Sequence, residues 1–149
     1  MKRLWILVCV IALAGCQVEA NHEPEIEWLK LPGTEDMDLP FSAAVRVDNM
    51  LYLSGDIGYD RDTGKLVEGG IQPETRKTLE NIQAKLEMFG SSMERVVKCT
   101  VFLADIAEWS AMNEVYVEFF PNKPARSALG SSGLALGART EIECIAVVG

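Results

Sequence analysis

Arg126 sits within Lys123-Pro124-Ala125-Arg126-Ser127, and Glu141 opens Glu141-Ile142-Glu143-Cys144-Ile145-Ala146-Val147 close to the end of the chain. A guanidinium forks two parallel hydrogen bonds onto a planar carboxylate, so Arg126 suits a small organic acid. A carboxylate nearby is able to hold or activate a water against that acid, which is the role open to Glu141. Spacing alone favours the plainer reading, an ordinary salt bridge or two solvated charges. The pair gains meaning only from the elements that carry it.

Other chemistries are excluded by what the chain lacks. His22 is the only histidine and lies ahead of the first strong strand pattern, where it reads as a solvated linker residue. No histidine is therefore left in the domain for a Ser-His-Asp or Cys-His mechanism, and neither histidine-based zinc ligation nor a CxxC thiolate pair is available. Asp60-Arg61-Asp62-Thr63-Gly64 lacks the third ligand and the terminal glutamate of a calcium loop and reads as a surface turn. Gly130-Ser131-Ser132-Gly133 has no P-loop lysine and reads as a loop.

The positioning elements follow from period and punctuation. Residues 25–31 alternate apolar and charged side chains, as a half-exposed strand does. Residues 43–47 and 50–54 flank Asp48-Asn49 as a hairpin. A first helix starts near Pro73 and stops at Gly90, with Leu79, Ile82, Leu86 and Phe89 facing a sheet. Residues 96–103 form a strand. Asp105 with Glu108 suggests a capping box for a second helix, whose stripe of Trp109, Met112, Tyr116 and Phe120 belongs to the core. Strands over 126–129 and 140–148 finish the chain. Strands, helix, strand, helix, strands make an α+β layer pair with two helices packed on one face of a mixed sheet.

The front of the chain carries a separate message. Met1-Lys2-Arg3 is basic, residues 4–14 are apolar and uncharged, and Leu13-Ala14-Gly15-Cys16 reads as a bacterial lipobox. The run is too short to span a bilayer comfortably, which needs roughly 20 residues, and its flanks suit an export signal. The expected organisation is a signal peptide over 1–15, a lipidated Cys16 with a tether to residue 24, and one domain over 25–149. Lipidation at Cys16 would anchor the protein in the bacterial envelope, and Gln17 after the cysteine points to the outer membrane, facing the periplasm. Without residues 1–15 the chain keeps 134 of its 149 residues, enough for one core, and its formal charge goes from −8 to −10 because Lys2 and Arg3 leave. Such an acidic surface argues against a nucleic-acid partner. Cys9 leaves with the signal, so Cys99 and Cys144 remain, each in mid-strand. An oxidising compartment would permit a disulfide between them, but mid-strand cysteines are usually small buried hydrophobes, and that is the expectation.

One resemblance joins these pieces. Asn49-Met50-Leu51-Tyr52-Leu53-Ser54-Gly55, Thr78-Leu79-Glu80-Asn81-Ile82, Val97-Lys98-Cys99-Thr100-Val101-Phe102-Leu103, Asn113-Glu114-Val115-Tyr116, the Pro-Ala-Arg-Ser segment and the Glu-Ile-Glu-Cys-Ile-Ala-Val ending occur in order. From about Pro40 to Val147 the chain resembles the RidA/YjgF family of reactive-intermediate (enamine/imine) deaminases. The resemblance implies the chorismate-mutase-like fold, a homotrimer with ligand clefts between subunits, and hydrolysis of 2-enamino and 2-imino acids to 2-keto acids and ammonia. It needs no cofactor and no metal, since an imine carbon is already electrophilic. By position, Arg126 would clamp the substrate carboxylate and Glu141 would place the attacking water. The backbone at Ser54, Gly55 and Ala128 would line the cleft, and Asn113 would shape it. Two positions depart from the best-known members: Phe41 stands where a tyrosine is usual, removing a hydroxyl from the ligand's reach, and Ala128 replaces a cysteine. The usual imine-generating enzymes work in the cytoplasm, so export leaves a second function open: a non-catalytic envelope lipoprotein that binds a small carboxylate in the same cleft. A purely structural envelope role is a third.

Overall fold

The computed structural model describes residues 22–149; the expected signal peptide, the expected lipidation site at Cys16 and most of the expected tether lie outside the described residues. Nine strands and two helices follow the expected order: β1 (Ile26–Leu29), β2 (Ala44–Val47), β3 (Met50–Leu53), β4 (Asp56–Ile57), β5 (Tyr59–Asp60), β6 (Lys65–Leu66), α1 (Ile71–Met88), β7 (Val96–Leu103), α2 (Trp109–Phe119), β8 (Ala125–Gly130) and β9 (Thr140–Val147). The main sheet runs β1-β2-β3-β9-β7-β8, with β4 also on β9, and β5 and β6 form a separate ribbon. Every pairing is antiparallel except β7 with β8, which α2 connects as a crossover. The expected α+β fold with a mixed sheet is therefore observed.

Alternation decides which face each strand buries. In β7, Cys99, Val101 and Leu103 are buried, and in β9 so are Ile142, Cys144 and Ala146. Leu79, Ile82 and Leu86 of α1 and Met112 and Tyr116 of α2 close over this face as one core. The opposite face has no cover among the described residues: Trp28 is 68 % exposed, and Tyr52 and Leu129 are each 43 % exposed.

Local details correct several sequence expectations. β1 is shorter than 25–31 because the chain turns at Leu31, whose carbonyl accepts from Thr34. Helix α1 starts at Ile71 behind Gly70 rather than near Pro73. The proline lies in the first turn, where its missing N–H has no helical acceptor to lose. Gly90 ends α1 as expected, with φ 83 and Ser91 N donating to Leu86 O. Asp105 does cap, accepting from Ala107 N, but it opens a short 3-10 turn (Ile106–Glu108) ahead of α2. Glu108 does not complete a capping box; its carboxylate takes the Arg139 guanidinium instead. His22 is exposed as expected, and its Nε2 lies 3.0 Å from Asp48 Oδ1 at the hairpin turn.

The largest correction concerns the cysteines. Cys99 and Cys144 are joined by a disulfide rather than left as two small hydrophobes. They face each other directly across β7 and β9, with Cα atoms 4.1 Å apart. That register was not deducible without knowing that the last strand pairs with β7.

Candidate active site

The first cluster forms where β3 passes into β4. Tyr52 pairs with Ile145, but Asp56 pairs with Ile142, so the three residues 53–55 face only two on β9. Such a bulge bends the strand and re-aims its side chains. Ser54 is pinned here by its hydroxyl, which donates to Ser42 O at 2.7 Å. Gly55 lies against Glu141, and a Cβ at this position would overlap the Glu141 carboxylate. Asn81 of α1 fastens the next stretch by donating to the carbonyls of Ile57 and Tyr59.

A cavity of about 740 Å³ opens at this bulge and brings together Phe41, Ser54, Gly55 and Glu141. Much of its wall is apolar, with Leu31, Leu39 and Tyr59 beside Phe41. Two further lining residues were missed by the sequence reading. Asp56 and Lys85 form a buried ion pair at 2.6 Å, their side chains 10 % and 7 % exposed. Lys85 falls among Ile82, Leu86 and Phe89 on the buried stripe of α1, and a lysine there needs an acid to meet it. That position was the available signal.

Burial raises both carboxyls of this cluster. Burial pushes the Asp56 carboxyl above the usual aspartate range while Lys85 pulls it back down. Glu141 is also raised, first by its own burial, then by the negative charges of Glu143 and Asp56. A carboxylate raised in this way is better suited to taking a proton from water.

The second cluster lies on β8 and α2. Arg126 Nη1 donates to Asn113 Oδ1 at 2.6 Å. Its guanidinium carbon stands 4.6 Å from the ring centre of Tyr116 and 5.5 Å from that of Trp109. Among the described residues it has no ion pair. Ala128 points to the same face two residues on and packs against the core.

Within one chain these clusters do not meet. Arg126 is level with Cys99, and Glu141 is level with Phe102, three residues further along β7. Side chains an odd number of positions apart on a strand leave by opposite faces. Arg126 and Ala128 therefore point to the helix side, and Glu141 points to the open side.

Fold and site define an α+β protein of chorismate-mutase-like architecture, with a cation and a carboxylate on opposite faces of one sheet. The family model described as Endoribonuclease L-PSP matches residues 36–148. The human 2-iminobutanoate/2-iminopropanoate deaminase is 43 % identical over 125 residues, covering 83 % of this chain and 89 % of that protein. The solved putative endoribonuclease L-PSP from Entamoeba histolytica superposes with a TM-score of 0.76 at 37 % identity, over 83 % of this chain and all of that one. A Rid-family protein from Yersinia pestis gives 0.76 at 36 % identity, with the same coverage. The chain belongs to this family, the RidA/YjgF proteins.

Proposed function

We propose that this protein hydrolyses 2-imino and 2-enamino acids to 2-keto acids and ammonia. The observation that carries the reading is Glu141, a carboxylate of raised pKa held against Gly55 in the lining of a cavity. The family's named deaminases support the same chemistry. Arg126 takes the substrate carboxylate. A water held by Glu141 attacks the imine carbon, and the C=N π electrons move to nitrogen, which takes up a proton. Glu141 accepts a proton from the attacking water and returns it to the nitrogen. The resulting carbinolamine then gives up its hydroxyl proton, which passes through Glu141 to the amine nitrogen, and as an oxygen electron pair forms the keto C=O the C–N bond breaks and ammonia leaves. An enamine first takes a proton at carbon and becomes the imine.

Because Arg126 and Glu141 leave opposite faces, each cleft draws them from two copies of the chain. The assembly is a homotrimer, and the uncovered apolar face bearing Tyr52 and Leu129 supplies contact surface for it. The test is an imine-trapping assay, with an amino-acid oxidase generating imines in the presence of semicarbazide. Arg126→Ala and Glu141→Gln should each lose activity by roughly 10²-fold or more. Trimers assembled from an equal mixture of the two variants should recover about a quarter of wild-type activity, because a random quarter of clefts pairs an intact Arg126 with an intact Glu141. No recovery would sink the shared site, and undiminished activity in either single variant would sink the chemistry.

Glu141 favours hydrolysis over simple carboxylate binding, since a second negative charge in the cleft weakens an anion's affinity. The formal charge of −8 gives RNA little electrostatic purchase, although the family carries the name of an endoribonuclease. The protein works outside the cytoplasm, exported by residues 1–15 and anchored through lipid on Cys16. The Cys99–Cys144 disulfide suits an oxidising compartment. Cys16→Ser should move the protein from the membrane fraction to the soluble fraction, and unchanged fractionation would remove the anchor from the account.

A further inference from the structure

Arg126 is half-buried, yet it is held entirely by neutral groups. Trp109, Asn113 and Tyr116 recur at positions i, i+4 and i+7 of α2, so one stripe of the helix presents two rings and an amide to the guanidinium. Buried arginines are ordinarily held by carboxylates, which fix geometry but cancel the charge. A ring face attracts the cation through its quadrupole and leaves the net charge in place. The amide carbonyl of Asn113 takes one N–H and contributes no charge either.

We propose that Trp109 and Tyr116 are positioning residues that hold Arg126 as an unneutralised cation, keeping both its charge and its fork for an incoming carboxylate. The proposal rests on Arg126 being the carboxylate clamp. Burial pushes the Tyr116 hydroxyl up to about 12, so the ring beneath the cation stays uncharged across the working pH range. Trp109 is 41 % exposed, which lets it flank the guanidinium without being needed to fill the core.

The experiment compares kcat and KM for an alanine-derived imine across variants of the purified protein, with Arg126→Ala setting the scale. Trp109→Leu should raise KM roughly 3- to 30-fold with kcat nearly unchanged, the range a lost cation–π contact allows. Tyr116→Leu should do the same, whereas Tyr116→Phe, which keeps the ring, should stay within about twofold of wild type. Asn113→Asp is the sharpest variant, because it preserves shape and the acceptor while placing a negative charge on Nη1. It should raise KM by about tenfold or more. A merely structural role for these side chains predicts lower thermal stability with KM unmoved. Wild-type KM in both Trp109→Leu and Asn113→Asp, alongside an inactive Arg126→Ala, would overturn the proposal and leave the clamp standing. Full activity in Arg126→Ala would instead remove the clamp itself, and the proposal with it.

Discussion

The two halves of the site are built on opposite electrostatic plans. Around Glu141 the protein crowds charge: Asp56 and Lys85 are paired in the interior, and Lys30 and Arg61 line the same cavity. Around Arg126 it removes charge, leaving one cation on two rings and an amide. The difference fits the two proposed tasks. An anion clamp needs a positive charge that nothing else has claimed. A proton acceptor gains from burial and from neighbouring negative charge, since both raise its pKa toward neutrality. Destabilising a carboxylate is costly, and Lys85 offsets part of that cost for Asp56. Within each chain Arg126 and Glu141 leave opposite sheet faces, whereas the Asp56–Lys85 pair lies on the helix side and shares its cavity with Glu141.

The most forceful way to separate the halves is Gly55→Ala. Its new Cβ would fall on the Glu141 carboxylate, so either Glu141 or the bulge must shift. An ångström of misplacement in a reacting group can lower turnover on the order of 10²-fold. The loss should appear in kcat, with KM close to wild type because the Arg126 half is untouched. A KM rise equal to the kcat loss would show that the halves do not act separately.

Lys85→Met comes next. It strands the Asp56 carboxyl in the interior, which destabilises proteins by about 3–5 kcal/mol when such a pair is broken. Part of that loss is recovered as Asp56 takes up a proton, so denaturant unfolding at neutral pH should reveal a smaller figure than at alkaline pH. Once protonated, Asp56 no longer sets a negative charge beside Glu141, and the Glu141 pKa falls. The acid limb of kcat/KM should accordingly move to lower pH, while the Arg126 half shows no change in carboxylate affinity. A stability equal to wild type would mean that the pair holds nothing in place.

The sequence reading captured the fold well, for a physical reason. Alternation in 96–103 and the helical stripe of Leu79, Ile82 and Leu86 are local patterns, and each survives in the structure as β7 and α1. Arg126, Glu141, Ser54, Gly55 and Asn113 were singled out because side-chain chemistry and motif order pointed to them, and the structure gathers them into the two clusters described. What escaped was every fact set by long-range register. The Cys99–Cys144 bridge joins residues 45 apart and exists because β9 inserts between β3 and β7. The Asp56–Lys85 pair needs β4 to lie on α1, and the Trp109–Tyr116 cradle needs β8 to run beneath α2. Trp109 and Tyr116 were read as core, which is right for Tyr116 at 5 % exposure, but Trp109 is 41 % exposed. Helix periodicity cannot distinguish a ring that packs on leucine from one that packs on a guanidinium.

Glu143→Gln is the mildest test and the most selective. Glu143 is exposed on β9 two residues from Glu141 and shares its face of the sheet. Its charge ranks behind burial but ahead of Asp56 among the causes that raise Glu141. Replacing it removes one negative neighbour and leaves the fold and the cavity in place. Glu141 must be ionised to accept a proton, so activity declines as pH falls through its pKa. With Glu143 neutral that pKa drops, and the acid limb of kcat/KM should move to lower pH, the same direction as expected for Lys85→Met. Two variants of one half-site, one on the surface and one in the interior, that displace the same limb in the same direction would assign it to Glu141 through charge, because Glu143→Gln leaves the packing intact. If the limb stays fixed in Glu143→Gln and moves only in Lys85→Met, burial is setting Glu141, and the crowding of charge on that side serves the interior rather than the reaction.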